Sequence, residues 1–325
     1  MKLVMEILYH AVIPLTLALI LCGCTLEDER DLCCPDPLTM HFVYRPLGVN
    51  TFHNNIHTLR HFLFDGEGTF ITEIPQSSEI DRLGLNMNPG SYTMVTVGNM
   101  SGNTLHEYGE EKTISQFLLR HTAPAKRNLQ AFDITDELFW GVKHFSIDSD
   151  SRGAEESLSR IGYATNVLVT EMSNIHCHLN VTVEWVGRPP YVGNYEMELS
   201  GIHTKYSLNP ESATLTADGF SVPEGQDCSD YRLDVPLRQL GLRAEFVTLR
   251  YTDASIPTLR IKFDGKTVIP EIDLGKAFRA WGWHPSATHV QEYNILLRVI
   301  NENHVDVVPM IEGSVADWVN GGSFG

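Results

Sequence analysis

The sequence is short of basic side chains. Lys and Arg total 24 against 41 Asp and Glu, which gives a formal net charge of −17 at pH 7. Proteins that bind nucleic acid need a basic stripe to neutralise phosphates, and no run of Lys and Arg interrupts the acidic balance here. We therefore exclude nucleic acid as a partner.

Long hydrophobic runs are also scarce, and only the N-terminus carries one. The run extends from Ile7 to Leu21 and ends at small residues. It is shorter than a helix that spans a bilayer needs to be, but it has the length of a signal-peptide core. No later segment of the sequence offers a second span.

The end of this run resembles a bacterial lipobox, in the order Leu21-Cys22-Gly23-Cys24. The resemblance implies cleavage between Gly23 and Cys24, after which the Cys24 thiol carries the lipid. Each buried acyl CH₂ contributes about 0.8 kcal/mol, so two or more chains hold a protein stably at a membrane. The alternative is an ordinary secretory signal with incidental cysteines. We expect residues 1–23 to be a lipoprotein signal peptide and 24–37 a lipidated tether.

The tether is acidic and reads "TLEDERDL" over residues 25–32. Such a charged stretch is typical of a solvated linker. It also resembles the acidic export signal of Bacteroidetes surface lipoproteins. That resemblance implies an outer-membrane protein exposed on the cell surface.

The sequence has no C-x-x-C pair, so the cysteine spacing of zinc ribbons is missing. Cys33, Cys34, Cys177 and Cys228 remain after cleavage, in a compartment that permits disulfides. Adjacent cysteines bridge each other only with strain. A bridge from Cys33 or Cys34 to a distant partner is open, and the pairing stays undetermined.

Helical periodicity appears in two short segments. Residues 112–121 have apolar side chains at helical spacing behind a capping-box pattern of Thr113 and Gln116, and residues 274–281 form the other segment. We expect few, short helices.

Strand patterns fill most of the remaining chain. Residues 38–44 and 175–184 alternate apolar and polar side chains, and the second segment predicts one buried face that includes Ile175 and Cys177. Hairpins are predicted at 257–272, turning at Asp264-Gly265, and at 292–311. Many short strands with loops between them predict an all-β protein of sandwich type.

The chain divides best in the polar, charged stretch 146–162, which has no apolar periodicity. The two parts each have a reasonable size for one domain. We expect an N-terminal β-sandwich over 38–155 and a C-terminal β-sandwich over 156–325. The final segment, 305–318, is either an ordinary last strand, which is favoured, or a docking strand.

Four stretches in order resemble one family, the fimbrial-anchor lipoproteins of Bacteroidales type V pili, which are related to the fimbrillins. The stretches are "CCPDPLTMHFVY" (33–44), "NTFHNNIHTLRHFLFDGEGTFI" (50–71), "LNMNPGSYTMVTVGN" (85–99) and "ELFWGVKHFSI" (137–147). No single motif carries the resemblance; their order and spacing do. Two features depart from the family pattern, namely the paired Cys33-Cys34 and the lack of a clear basic processing site.

The resemblance implies two transthyretin-like β-sandwich domains, no enzymatic activity and no cofactor. Such proteins sit at the base of a fimbria, attach it to the outer membrane and limit its length. Their partners are fimbrial shaft subunits, which join by adding a strand to a neighbouring sheet. The alternatives are a surface lipoprotein that binds a glycan or host ligand, and an accessory or tip subunit.

Several residues suggest catalytic or metal chemistry but lack its full pattern. His53, His57 and His61 have helical spacing, yet residues 58–64 read as a strand, which separates His61 from the other two. His176 and His178 share the more polar face of a strand and are expected to be solvated rather than a zinc pair. The G-x-S-x-G match at Ser323 lacks a following helix. We therefore expect no catalytic, metal-binding or cofactor-binding residues.

Overall fold

The computed structural model describes residues 38–122, 131–132 (backbone only), 136–147, 167–216, 220–239 and 241–310. Within these ranges the chain is built mostly of strands, and the all-β prediction is confirmed. The earlier strands are β1 (Leu38–Val43), β2 (Leu59–Asp65), β3 (Phe70–Ile74), β4 (Arg82–Leu85), β5 (Gly90–Gly98), β6 (Thr104–Glu107), β7 (Leu118–His121), β8 (Ala131–Phe132), β9 (Phe139–Ile147), β10 (Val167–Glu171) and β11 (Ser173–Asn174).

The later strands are β12 (His176–Trp185), β13 (Asn194–Ser207), β14 (Thr214–Leu215), β15 (Ser221–Val222), β16 (Glu224–Pro236), β17 (Gly241–Leu249), β18 (Thr258–Phe263), β19 (Lys266–Thr267), β20 (Ile272–Asp273), β21 (Gln291–Asn301) and β22 (His304–Pro309). The helices are α1 (Phe52–Asn55) and α2 (Leu274–Trp281). Short 3₁₀ turns occur at Ile114–Gln116, Pro210–Ser212 and Pro285–Ala287.

Two sheets enclose the first part of the chain. Sheet I has the order β10-β1-β4, and sheet II has the order β11-β9-β5-β2-β3. The side chains between them form the first core, which includes Met40 and Phe42 from β1 and Leu63 and Met94 from sheet II. These apolar side chains recur at every second position of β1, as a strand with one buried face requires.

Two further sheets enclose the second part. Sheet III has the order β17-β12-β21-β22, and sheet IV has β19-β18-β13-β16-β8, with β20, β6 and β7 paired to it at its sides. Alternate residues of β12, from Cys177 to Trp185, enter the second core between these sheets. The period-two pattern in this segment is therefore confirmed from Cys177 onward, whereas Ile175 lies outside the strand in a different core.

That different core, the junction core, lies on the other face of sheet II. It combines Phe62 and Val95 of sheet II with Ile175, Tyr206 and Leu249 from the second part of the chain. Strand β5 is consequently buried from Thr93 to Gly98 on both faces.

The expected boundary between residues 155 and 156 lies outside the described residues and stays a proposal. Strands β10 and β11 follow that boundary, yet they pair with β1 and β9 in the first two sheets. Conversely, β7 precedes the boundary and pairs with the end of β13. Pairing of strands therefore places the crossing from one unit to the next near Ile175.

Local turn chemistry explains several predicted elements. Asp264 and Gly265 adopt φ values of 47° and 73° between β18 and β19, which is the hairpin that the sequence predicts. Helix α2 also forms as expected, because the Asp273 side chain accepts a hydrogen bond from the Lys276 N–H at 3.0 Å and Gly282 ends the helix at φ 70°. The helix expected over 112–121 is wrong. Only Ile114–Gln116 coils, and β7 follows.

Candidate functional site

The residues expected to anchor the chain, Gly23 and Cys24, lie outside the described residues, as do Cys33 and Cys34. The first strand of the described residues is β1, whose two neighbours in sheet I are β10 and β4. The lipid-anchor assignment therefore stays a prediction from the sequence.

Cys177 and Cys228 have opposite surroundings. The Cys177 side chain is fully buried in the second core, and burial raises the pKa of its thiol far above the usual range. Cys228 lies exposed on β16, with its Sγ 3.6 Å from the Nδ1 atom of His203. Neither forms a disulfide within the described part of the chain. Cys228 is the more accessible of the two thiols because its side chain is exposed.

The three evenly spaced histidines do not converge. His53 is exposed on α1, and His57 lies in the loop before β2. His61 lies within β2, where its ring stacks on Phe42 with centroids 4.9 Å apart and its Nδ1 is 3.0 Å from the Thr96 hydroxyl. The predicted separation of His61 from the other two is confirmed, because the chain is extended from Leu59 onward.

His176 does not match the expectation of a solvated side chain, whereas His178 stays partly exposed. His176 is 4% exposed, and burial lowers the pKa of its imidazole to about 3. The cover over His176 comes from the segment that enters β9: its Nδ1 lies 2.9 Å from the Leu138 carbonyl oxygen, and its ring packs against Phe139. The prediction fails for His176 because a distant segment covers the polar face of the strand at this end.

The same segment brings a carboxylate to the two histidines. The Glu137 Oε1 atom lies 3.4 Å from the His178 Nε2, and the Glu245 Oε1 atom lies 3.3 Å from the His178 Nδ1. Glu137, His176 and His178 can each offer one ligand atom within 4.8 Å of the others. We call these three residues the His-Glu cluster. Glu137 carries no local signal, because only the pairing of β9 with β11 brings it beside β12.

Each open sheet has two edge strands, and among the edges within the described residues are β22 of sheet III and β10 of sheet I. Strand β22 pairs only with β21, and β10 pairs only with β1. Such an edge is a template for a strand from another chain. The favoured prediction of a last strand agrees with β22 over residues 304–309, and residues 311–318 lie outside the described residues.

The hydrogen-bond register of β22 decides which groups face outward. The Met310 N–H donates to the Asn294 carbonyl oxygen at 2.8 Å, and bonding alternates along an antiparallel pair. The backbone groups of Val305, Val307 and Pro309 therefore point away from β21. Pro309 has no N–H, so the outer side offers its N–H donors at Val305 and Val307. Both valine side chains pack against the second core, which holds the strand in position for pairing with another chain.

The edge at β10 differs in its side chains. The Met172 N–H donates to the Val43 carbonyl oxygen at 2.8 Å, which turns the backbone groups of Val167 and Val169 outward. Their side chains are 37% and 45% exposed. This edge is therefore open but less firmly supported by a core.

Among the described residues, no helix has the length and apolar composition needed to cross a bilayer.

Residues 30–320 match the protein family described as "Mfa2: Fimbrillin-A associated anchor proteins Mfa1 and Mfa2". A search of curated proteins finds no match.

Solved structures with a similar fold come from Porphyromonas and Bacteroides species. The fimbrial anchor protein Mfa2 from Porphyromonas gingivalis is 18% identical, with a TM-score of 0.57 over 82% of this chain and 91% of that one. A candidate adhesin from Bacteroides thetaiotaomicron is 16% identical, with a TM-score of 0.59 over 84% and 96%. A candidate polysaccharide-binding protein from the same species is 12% identical, with a TM-score of 0.61 over 85% and 99%. At these identities the likeness shows a shared fold.

Proposed function

Because the chain belongs to the family of fimbrillin-A associated anchor proteins, we propose that it fixes the base of a fimbria to the outer membrane. The observation that carries the proposal is the family match over residues 30–320, which begins just after the lipobox cysteine. Acylated Cys24 holds the chain in lipid, and the folded part holds the fibre. The role is mechanical and structural and requires no catalytic residue.

The attachment to the fibre uses strand addition. A segment of a shaft subunit pairs with the outer side of β22, where Val305 and Val307 offer N–H donors on a strand supported by the second core. Backbone hydrogen bonds supply the affinity in this mode, and alternating side-chain pockets supply the specificity. An anchor that occupies one end of the fibre also limits its length, because the anchored end is closed to further subunits.

The test of the anchor is electron microscopy of native-host cells that carry Cys24→Ala, with fibres counted on cells and in the medium. We expect fibres that still form but are shed or grow unusually long, because the link to lipid is lost. Thr25→Ala, which keeps the acylation cysteine, is the matched control and should leave fibres attached. Fibres that stay attached at unchanged length in Cys24→Ala would refute the proposal.

A second candidate function is a surface lipoprotein that binds a glycan. The observation in its favour is the fold shared with a protein described as a candidate polysaccharide-binding protein. This reading gains if the Cys24→Ala variant leaves fibre number and length unchanged while the protein is released from the membrane.

A further inference from the structure

We propose that the His-Glu cluster, Glu137, His176 and His178, binds one zinc ion at the junction of the two units. The site joins the segment that enters β9, in sheet II, to the first residues of β12, in sheet III. The inference does not rest on the proposed anchoring function, because it concerns metal chemistry of the folded chain alone.

The distances fit a zinc site after small side-chain movements. A tetrahedral ion with bonds of about 2.0–2.1 Å places its ligand atoms about 3.4 Å apart. The Glu137 Oε1 and the His178 Nε2 already lie 3.4 Å apart. The ligand atoms of the three residues all lie within 4.8 Å of one another, so rotation of side chains closes the remaining gap. Glu137 is exposed and free to make that adjustment.

The second nitrogen of each imidazole is already held as metal-binding histidines require. Such histidines donate their other N–H to a backbone carbonyl or a carboxylate, which fixes the tautomer. The His176 Nδ1 lies 2.9 Å from the Leu138 carbonyl oxygen, and the His178 Nδ1 lies 3.3 Å from Glu245 Oε1. Both arrangements leave the Nε2 atom of the ring for the metal.

The present partner of His176 Nε2 is a weak competitor for a metal ion. The Asn174 Oδ1 accepts from the His176 backbone N–H at 3.1 Å, which turns the Asn174 amide nitrogen toward Nε2 at 3.2 Å. That nitrogen donates to Nε2, so the ring presents a lone pair and is neutral. A neutral imidazole with an outward lone pair is the form that binds zinc.

The charges around the cluster suit a dication. Glu137 and Glu245 together bring two carboxylates to His178. The positive charge of the nearby Arg250 guanidinium acts at His176 in the opposite sense. That guanidinium is held by the carbonyl oxygens of Asn174 and of residues 285, 288 and 289. Imidazole with one carboxylate favours zinc over calcium or magnesium, which prefer all-oxygen sites. Three protein ligands leave the fourth position to water.

The experiment is equilibrium dialysis of the full chain against zinc chloride, followed by elemental analysis. The chain is purified from detergent-solubilised host cells without a polyhistidine tag. We expect one zinc per chain, no retained calcium or magnesium, and a melting temperature that rises with zinc concentration, because a ligand that binds the folded state stabilises it.

Variants locate the site. Glu137→Gln and His178→Ala, both at positions outside the cores, should weaken zinc binding about tenfold or more, and Glu245→Gln should weaken it by about tenfold through the orientation of His178. His144→Ala, at an exposed position on β9 outside the cluster, is the control and should bind zinc like the unaltered chain. Circular dichroism confirms that each variant is folded. A chain that retains no stoichiometric zinc, or a Glu137→Gln and His178→Ala pair with unchanged affinity, would overturn the proposal.

Discussion

At the scale of single residues, His61 shows how the fold uses a polar side chain inside a core. The side chain is 1% exposed, stacks on Phe42 and contacts the Thr96 hydroxyl. Burial lowers the pKa of His61 to about 4, although the nearby Glu73 carboxylate acts in the opposite direction. The folded protein therefore holds this imidazole neutral over a range where the unfolded chain protonates it.

This shift makes the free energy of unfolding depend on pH. The unfolded histidine titrates near 6.5 and the folded one near 4, so the unfolded state binds more protons between these values and stability falls as the pH drops through them. The His61 contribution approaches about 1.4 kcal/mol per pH unit within this window. His61→Gln, which keeps a polar group near Thr96, should remove this pH-dependent contribution to the unfolding free energy.

Urea unfolding of both proteins from pH 8 down to pH 4 measures the effect. The difference in unfolding free energy between His61→Gln and the unaltered chain should be constant above pH 7 and shift in favour of the variant below about pH 6. A difference that stays constant over the whole range would contradict the buried, neutral state of His61.

Residue-level prediction from the sequence succeeded where local pattern decides and failed where a distant segment decides. The period-two pattern correctly placed His61 in a strand, with Leu63 facing the first core and Phe62 the junction core. The same pattern predicts an exposed His176, because no residue near it in the sequence indicates that residues 137–139 cover its side chain. Glu137 was missed for the same reason.

At the scale of elements, β22 combines two opposing features of a sheet edge. Its outer side offers N–H groups at Val305 and Val307, whereas Pro309, the next outward-facing residue, has no N–H to donate. Natural edge strands often carry proline or charge to limit unwanted pairing. The strand is therefore open to a partner over a short length only.

A substitution that removes one outward N–H tests whether this edge accepts the fimbrial partner. Val307→Pro lacks the N–H that faces outward but leaves the inward hydrogen bonds of Asp306 and Val308 to β21 in place. We expect fewer attached fibres on cells with Val307→Pro, at a melting temperature within a few degrees of the unaltered chain. The measurement is electron microscopy of cells combined with thermal denaturation of the purified variant.

Val307→Thr keeps the N–H and the branched side chain, so it serves as the control and should support normal attachment. If cells with Val307→Pro carry as many attached fibres as the control, β22 is not the accepting edge. Val169→Pro then applies the same test to β10.

The elements that the sequence predicted well are those whose ends carry their own chemistry. Asp264-Gly265 and the β21–β22 turn set the registers of their hairpins, and Asp273 and Gly282 set the ends of α2. The segment 112–121 has helical spacing as well. It becomes a 3₁₀ turn and a strand because Phe117 and Leu119 enter the junction core and β7 pairs with β13.

At the scale of the whole molecule, the junction core joins the two units through a buried hydrogen-bond chain. The Tyr206 hydroxyl donates to the Ile175 carbonyl oxygen at 2.9 Å and accepts from the Arg250 backbone N–H at 2.7 Å. The Arg250 guanidinium then donates to the carbonyl oxygens of Asn174, in sheet II, and of His289, near sheet III. These contacts predict that both units unfold together.

Tyr206→Phe tests this coupling. It leaves the buried Arg250 N–H without its acceptor and should lower the unfolding free energy by about 1–3 kcal/mol. We expect one transition, shifted as a whole, when circular dichroism and tryptophan fluorescence follow denaturation. Tyr195→Phe removes a hydroxyl within the second unit alone, where it donates to the Tyr191 carbonyl oxygen at 2.8 Å, and should shift the same single transition. Two transitions of which Tyr195→Phe moves only one would show that the units unfold independently.

The sequence predicted the class of the whole molecule but not how its parts interlock. Alternating strands are enough to indicate sandwiches. The pairing of β7 with the far end of β13, and of β10 with β1, is non-local and depends on which faces remain to be covered once each sheet has formed. A division drawn from linker composition could not reveal these exchanges.

The position of β1 also has a mechanical consequence. Tension from the N-terminal side enters the fold at Leu38, at the start of β1, which pairs with β10 on one side and with β4 on the other. A strand pulled along its axis in this position strains its hydrogen bonds on both sides at once, in shear. A strand at a sheet edge that is peeled from one end instead breaks its bonds one after another. For a chain held at its N-terminus, as proposed above, such a pull acts along the more resistant direction of β1.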